Sequence, residues 1–274
     1  HSDMAKTGEF HCSNEKVNQL QSNMSWGLRD NFFDIPTDCP QRDERLGWMG
    51  DAQIFSWTAA FNRNTARFFT KWMRDISAAS SLEKGVPHVV PDLIGNYSSA
   101  AWSDAAVIIP WVVYQTYGDM RILEESWKCM HEWVDYIQDK TNENGLWMSG
   151  YQYGDWLALD REDGDSSVGA TDIYFVANAY YLYVTNLVQQ TAAALGKKKD
   201  ADYYQTLYER TLKSFQAEYF TSRGRIVSET QTGCVLALYF HLAKEKDRSS
   251  ILKALSANIE NHKNHLTTGF VGTP

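Results

Sequence analysis

The sequence lacks long apolar runs, basic clusters and closely spaced cysteines, and each of these absences excludes a class of protein. No stretch of about 18 consecutive apolar residues occurs, so a membrane-spanning helix is not expected. The formal net charge is −8. Binding to nucleic acid requires Lys and Arg at the phosphates, so a chain without a basic cluster is not expected to bind it. An acidic chain is not expected to bind an anionic membrane surface either. The four cysteines are far apart and include no C-x-x-C pair, which argues against a disulfide framework or a zinc site.

Motifs for cofactors and metals are also absent. The chain contains no G-x-S-x-G, no phosphate-binding loop, no H-E-x-x-H and no G-x-G-x-x-G. The scattered histidines, such as His88, His241 and His265, are expected to pack or to cap helices rather than to bind metal. The run D-R-E-D-G-D at residues 160–165 is similar to a calcium loop but lacks its spacing and closing Glu. We therefore predict no cofactor and no metal.

Helical periodicity recurs along the whole chain, and no convincing alternating strand occurs. Successive pairs of helices arrive roughly every 50 residues, which is typical of stacked helical hairpins. Ser13 is expected to cap the first helix, and Pro110 to kink the fourth or to delay its start. The nine predicted helices cover residues 14–31, 52–61, from 64 through 76, 104–117, from 119 through 137, 170–195, 200–220, 231–243 and 247–262.

The stretch at residues 34–53 is the most informative part of the chain. It holds five carboxylates between two apolar helices: Asp34, Asp38, Asp43, Glu44 and Asp51. Pro36 and Pro40 bar a regular helix, and Gly47 and Gly50 permit turns, so a shaped loop at a helix end is predicted. Carboxylates held close together raise one another's pKa, which predicts a carboxyl that stays protonated near neutral pH. The alternative is a solvated acidic loop that Arg42 and Arg45 neutralise.

Three turn-rich loops each carry a tryptophan beside a carboxylate: Trp48 with Asp51, Trp102 with Asp104, and Trp156 with Asp155. A sugar offers apolar faces to aromatic rings and hydroxyl donors to carboxylates, so these pairs favour a carbohydrate site. A ring of helical hairpins would bring the three loops together over a central cleft. Alternatively, the tryptophans fill the core and the aspartates cap helices, with Asp104 a candidate N-cap. Asp43 and Glu44 are candidates for the acid that protonates a leaving glycosidic oxygen.

Five motifs carry a resemblance to a known family. They are D-C-P-Q-R-D-E-R-L-G-W-M-G-D-A-Q at residues 38–53, A-W-S-D-A at 101–105, Y-G-D at 117–119, G-D-W-L at 154–157 and T-T-G-F-V-G-T-P at 267–274. In this order, from about Thr7 to Pro274, the chain resembles bacterial α-L-rhamnosidases. The resemblance implies the catalytic domain of an inverting glycoside hydrolase, an all-α (α/α)6 barrel of helical hairpins. Its substrate would be a rhamnose-containing glycoside or polysaccharide.

The motifs also imply roles for individual residues. Glu44 corresponds to the general acid, while Asp38, Arg42, Trp48 and Asp51 fall on sugar-contacting positions. Trp102 and Trp156 fall on aromatic walls, and Asp104 and Asp155 join the substrate-binding set as their neighbours. The family's general base is a glutamate in a later motif, so no base is expected in this chain. Residues 1–274 are accordingly interpreted as a partial catalytic domain, incomplete at its C-terminus, with residues 1–6 as a tag remnant and lead-in.

Two consequences and two alternatives follow. An open ring of hairpins would expose apolar helix faces, which predicts self-association, and loss of the base predicts weak hydrolysis. Another helical-barrel glycosidase or a lyase is an alternative, although the acidic loops disfavour a lyase that acts on uronates. A non-catalytic sugar-binding helical domain is the other alternative.

Overall fold

A computed structural model describes residues 2–95, 98–161 and 167–274 of the chain. These residues form nine α-helices, and the all-α class predicted from the sequence is confirmed. Strand structure among them is limited to two residues each in β1 (Phe32–Phe33) and β2 (Ile35–Pro36), and to isolated bridges. The helices are α1 (Glu15–Asn31), α2 (Met49–Asn62), α3 (Ala66–Ala79), α4 (Ala105–Tyr117), α5 (Arg121–Asp139), α6 (Ile173–Ala194), α7 (Lys198–Tyr219), α8 (Gln231–Tyr239) and α9 (Arg248–Asn261).

The helices belong to two compact units. The first comprises His1–Ser98 and Trp102–Trp133, and the second comprises Ser99–Ala101 and Val134–Pro274. In the first unit α2 and α3 both pack against α4, and in the second unit α6 packs against α7 and α8, while α8 packs against α9. Helices α4 and α6 are apolar around most of their circumference and contribute many fully buried residues, as expected for helices inside a core.

Aromatic packing fixes the entry to the acidic stretch. Phe32 follows the end of α1 and is buried. Its ring stacks on Phe68 of α3, with the centroids 4.6 Å apart and the planes 10° apart. The chain then reverses through the short β1–β2 hairpin, where Asp34 adopts a φ of 65°. Aspartate tolerates this left-handed conformation better than most residues, so the turn suits the sequence.

Several local predictions need correction. Helix α2 begins at Met49 rather than at residue 52, so Asp51 lies in the first helical turn and not in the loop. Asn14, not Ser13, caps α1: the Asn14 side chain accepts from the backbone N–H groups of Lys16 and Val17 at 3.0 and 3.4 Å. Helix α4 begins at Ala105 and continues through Pro110, so Pro110 does not delay its start, and the alternative of a kink stays a prediction.

The surface of the first unit bears on two predictions, the lead-in at residues 1–6 and the self-association of the chain. Residues 2–6 run beside the ends of α1 and α2, since Asn64 donates its N–H to the Ala5 carbonyl at 2.8 Å. Helix α1 exposes apolar side chains, including Leu20 and Trp26, and self-association stays a prediction. In the part of the chain that the structure describes, every helix is too short or too polar to cross a membrane.

The capping of α1 provides a test of this local structure. We expect Asn14→Ala to lower the free energy of unfolding by about 1 kcal/mol, because two N–H groups of the first turn lose their acceptor. Ser13→Ala is the matched control, since Ser13 is equally exposed but contributes no cap. Urea denaturation measures both variants, and a larger loss for Ser13→Ala would contradict the assignment.

Candidate functional site

Backbone pairing and two glycines shape the loop at residues 37–48. Asp38 donates its N–H to the Leu46 carbonyl at 2.8 Å, which closes the loop, and Val90 donates to the Gly47 carbonyl at 2.9 Å. A Cβ on Gly47 would lie 2.1 Å from the Val90 carbonyl oxygen. Gly50, in the first turn of α2, lies under Trp102, whose ring would be 2.6 Å from an added Cβ. Both glycines therefore permit close approach rather than the turns that the sequence suggested.

Glu44 lies in this loop with both carboxylate oxygens occupied. The Trp48 indole Nε1 donates to Oε1 at 2.8 Å, and Arg42 Nη2 donates to Oε2 at 2.5 Å. The side chain of Glu44 is 24% exposed and that of Arg42 is 62% exposed. The indole hydrogen bond and the guanidinium hold the pKa of Glu44 below its ordinary value. The expectation that crowding keeps this carboxyl protonated is thus wrong for Glu44 in this arrangement.

Asp51 is the carboxyl whose pKa is raised, to about 6. Burial is the main cause, because it disfavours the charged form, and the negative charges of Asp38 and Glu44 add to it. The sequence predicted a carboxyl with a raised pKa in this cluster, and Asp51 rather than Glu44 carries it, but a pKa of about 6 leaves Asp51 mostly ionised at neutral pH. The misassignment arises because the donors that stabilise ionised Glu44 are side chains whose directions a sequence does not reveal.

Asp38 and Cys39 complete the cluster. Ligand atoms of Asp38, Cys39 and Glu44 all lie within 4.8 Å of one another, a spacing that could hold a metal ion. The hydrogen bond with Asp38 and burial raise the pKa of the Cys39 thiol, which keeps it protonated. Because the oxygens of Glu44 already accept from Trp48 and Arg42, we assign no metal to this group.

Trp102 and Asp104 are both buried within the first unit. Trp102 is 3% exposed and covers Gly50, while Asp104 is fully buried and accepts from the Trp133 indole Nε1 at 2.7 Å. Asp104 is the N-cap residue of α4, as the alternative predicted, but its side chain makes no cap hydrogen bond, and its full burial gives no support to a sugar contact. Its carboxylate instead holds Trp133 of α5.

Asp155, in the second unit, is also fully buried. Its carboxylate accepts from the Thr232 hydroxyl and from the backbone N–H groups of Gly269, Val271 and Gly272. These internal donors occupy both oxygens, so in this arrangement the carboxylate offers no free acceptor to a sugar hydroxyl. Nothing in the sequence marked Thr232 as a partner of Asp155.

Trp156 differs from its neighbour because it is partly exposed. Its ring meets Tyr153 edge to face, with the centroids 5.5 Å apart. The central cleft that the sequence predicts stays a prediction. The run at residues 160–165, considered as a calcium loop, lies largely outside the described residues.

A groove of about 880 Å³ lies elsewhere in the first unit, beside α3 and α5. Its walls carry exposed ion pairs, including Arg74 with Glu125 and Arg121 with Asp119. None of the predicted site residues lines it. Its paired charges do not match the aromatic and carboxylate chemistry expected of a sugar site.

The raised pKa of Asp51 leads to a test by pH. Its pKa rises from an ordinary 3.8 to about 6 in the folded state, so ionisation costs stability as pH rises from below 4 to above 6. We expect Asp51→Asn, which mimics the protonated form, to stabilise the chain at pH 7.5 by up to about 3 kcal/mol and to have little effect near pH 3.5.

Denaturation of the wild type and the variant across this pH range measures the difference. Asp43→Asn is the matched control, because the Asp43 side chain is fully exposed in the same loop. A stabilisation of Asp51→Asn that is the same at pH 3.5 and pH 7.5 would show that Asp51 carries no raised pKa.

Comparison with known proteins identifies the family of the chain. The chain matches the bacterial alpha-L-rhamnosidase 6 hairpin glycosidase domain over residues 5–274. It is 41% identical to an alpha-L-rhamnosidase of Formosa agariphila, over 100% of this chain and 30% of that protein. The crystal structure of the alpha-L-rhamnosidase of Aspergillus terreus superposes with a TM-score of 0.94 at 40% identity, over 100% of this chain and 32% of that one.

A second solved structure, the Streptomyces avermitilis alpha-L-rhamnosidase complexed with L-rhamnose, gives a TM-score of 0.91 at 38% identity, over 100% of this chain and 26% of that one. The chain spans less than a third of the length of the curated relatives it matches. The helical-hairpin fold class and the resemblance seen in the sequence are confirmed. The chain belongs to the six-hairpin glycosidase domain family of bacterial α-L-rhamnosidases.

Proposed function

We propose that this chain contributes the general acid and part of the sugar site to an enzyme that hydrolyses terminal, non-reducing α-L-rhamnose by an inverting mechanism. The observation that carries the proposal is the cluster around Glu44. The Glu44 side chain is 24% exposed, and its Oε1 accepts from the Trp48 indole Nε1 at 2.8 Å. Asp38 and Asp51 belong to the same cluster, where burial and the charges of Asp38 and Glu44 raise the pKa of Asp51. The S. avermitilis relative, whose structure contains L-rhamnose, supports rhamnose as the sugar.

In this proposal Glu44 protonates the leaving glycosidic oxygen, since departure of the aglycone requires a proton. Asp38, Arg42, Trp48 and Asp51 contact the sugar. Trp156, which is partly exposed, lines it with aromatic surface, while Trp102 is only 3% exposed and supports the site by packing on Gly50. Asp104 and Asp155 are left out of the contact set because both are fully buried and bonded within the protein. We assign no residue of this chain as the general base.

The ion pair between Arg42 and Glu44 must change before Glu44 can act as an acid. The Trp48 indole hydrogen bond and the guanidinium lower the pKa of Glu44, and an acid catalyst must carry a proton at the working pH. Ion pairs exposed in this way contribute little to stability, so a bound sugar can displace this one. Sugar binding would also remove water from the carboxyl. Both changes raise the pKa of Glu44 toward the value that an acid catalyst needs.

Alternatives within carbohydrate chemistry fit less well. A lyase acting on uronates needs a cationic pocket and a base that removes a proton from carbon. The cluster holds three carboxylates and one arginine: Asp38, Glu44 and Asp51 with Arg42. Whether a glycosidase retains or inverts the configuration at the anomeric carbon depends on a second carboxylate, and we assign none in this chain. The inverting mechanism is therefore proposed from the family alone.

Binding and turnover separate the proposed roles. We expect the chain to bind L-rhamnose more tightly than D-glucose, and Trp48→Phe to weaken rhamnose binding because the indole surface and its hydrogen bond are altered. Glu44→Gln should retain rhamnose binding while lowering any hydrolysis of an aryl α-L-rhamnoside by about 10²- to 10⁴-fold. Calorimetry and release of the aryl alcohol measure these two properties.

Asp43→Asn, in the same loop but fully exposed, is the control and should alter neither property. A non-catalytic sugar-binding domain would bind rhamnose with no hydrolysis above background in the wild type. Absence of rhamnose preference, or equal hydrolysis by the wild type and Glu44→Gln, would contradict the proposal.

The Arg42 contact can be tested separately. We expect Arg42→Gln to raise the pKa of Glu44, because the ionised carboxylate loses a charged donor at 2.5 Å. A carbon-13 NMR titration of the Glu44 carboxyl measures the shift. Arg45→Gln is the matched control, since Arg45 pairs with Asp43 rather than with Glu44. An unchanged or lowered Glu44 pKa in Arg42→Gln would show that this ion pair does not set it.

A further inference from the structure

The carboxylate of Asp155 holds four donors from two distant parts of the chain. Oδ2 accepts from the Thr232 hydroxyl of α8 and from the Gly269 N–H at 2.8 Å. Oδ1 accepts from the N–H groups of Val271 and Gly272 at 3.0 and 3.3 Å. An ionised carboxylate removed from water needs this kind of compensation, and hydrogen bonds to a charged group are among the stronger ones. Asp155 therefore fixes the backbone of residues 269–272 on α8.

Two glycines make the arrangement possible. A Cβ on Gly269 would lie 2.3 Å from the Trp156 carbonyl oxygen and 2.5 Å from the Ala158 nitrogen. A Cβ on Gly272 would lie 2.2 Å from the Thr232 hydroxyl oxygen. A side chain at either position would force a shift, of the backbone at residues 156–158 for Gly269 and of Thr232 for Gly272. The segment at residues 269–272 thus rests directly on the turn that carries Trp156.

Backbone hydrogen bonds connect that segment to Trp156. Phe270 donates its N–H to the Trp156 carbonyl at 2.8 Å, and Leu159 donates to the Thr267 carbonyl at 2.9 Å. On its other side the turn is closed by Leu157, which donates to Ser167 at 2.6 Å. The position of Trp156 therefore depends on a segment more than a hundred residues later, and Asp155 holds that segment in place.

We propose that Asp155 is a positioning residue that acts through residues 269–272 to fix Trp156, and that it does not contact the sugar. The inference rests on the proposed function for one point only, that Trp156 forms a wall of the rhamnose site. The hydrogen bonds of the Asp155 carboxylate and their effect on Trp156 stand apart from that point.

The test uses Asp155→Asn in the full chain. The amide nitrogen of Asn would face either the Val271 and Gly272 N–H groups or the Gly269 N–H group and the Thr232 hydroxyl, so one or two hydrogen bonds are lost. We expect hydrogen exchange at Gly269, Val271 and Gly272 to accelerate at least about tenfold. The indole N–H signal of Trp156 should shift or broaden in the ¹H–¹⁵N spectrum. Rhamnose affinity should fall several-fold.

Milder variants keep the test decisive if Asp155→Asn does not fold. Thr232→Val removes one donor and should reproduce the effects in part, while Thr232→Ser keeps the hydroxyl and should restore the wild-type exchange rates and indole signal. Asp160→Asn is the matched control, because Asp160 accepts from Ala170 at 2.7 Å in the same loop. It should leave residues 269–272 protected.

The outcomes distinguish this inference from the proposed function. If the wild type does not bind rhamnose, the proposed function fails, yet exchange rates and the indole signal still decide the role of Asp155. Faster exchange at residues 269–272 with an unchanged Trp156 signal and unchanged rhamnose affinity would contradict the proposal. Asp155 would then hold residues 269–272 without positioning Trp156. Unchanged exchange in both Asp155→Asn and Thr232→Val would show that the Asp155 carboxylate does not hold residues 269–272.

Discussion

The hydrogen bond from the Trp48 indole to Glu44 is the interaction on which the candidate site depends. It spans four residues across the junction between the loop and α2, and it fixes the carboxyl against an aromatic surface. A carboxylate held this way is oriented before any ligand arrives, which reduces the entropy lost on binding. The loop must therefore keep its shape, and the close approaches of Gly47 to Val90 and of Gly50 to Trp102 hold it.

The carboxylates of this chain illustrate three ways in which a protein accommodates a negative charge. Glu44 keeps partial exposure and two donors, which favour its ionised form. Asp51 has burial and like charges around it, which favour its protonated form. Asp104 and Asp155 are fully buried and accept from protein donors, so they hold other segments in place. Carboxyl groups in one chain thus differ in exposure, in pKa and in structural role, and the groups around each carboxyl set these differences.

The sequence predicted the local features well. Helices were predictable because their apolar periodicity is contained within each segment, and the cluster at residues 38–51 was predictable because its members are close in the chain. The cap of α1 was misplaced by one residue, since Ser13 and Asn14 are both good caps and only the backbone selects between them. Asp104 and Asp155 could not be interpreted from sequence, because their partners Trp133 and Thr232 lie 29 and 77 residues away.

The central claim is that Glu44 becomes a proton donor when rhamnose occupies the site. Titration of the Glu44 carboxyl by carbon-13 NMR, without sugar and with saturating L-rhamnose, tests it most directly. The account predicts that L-rhamnose raises the pKa of Glu44 and that D-glucose leaves it unchanged. A Glu44 pKa that stays the same or falls when L-rhamnose is bound would contradict the account.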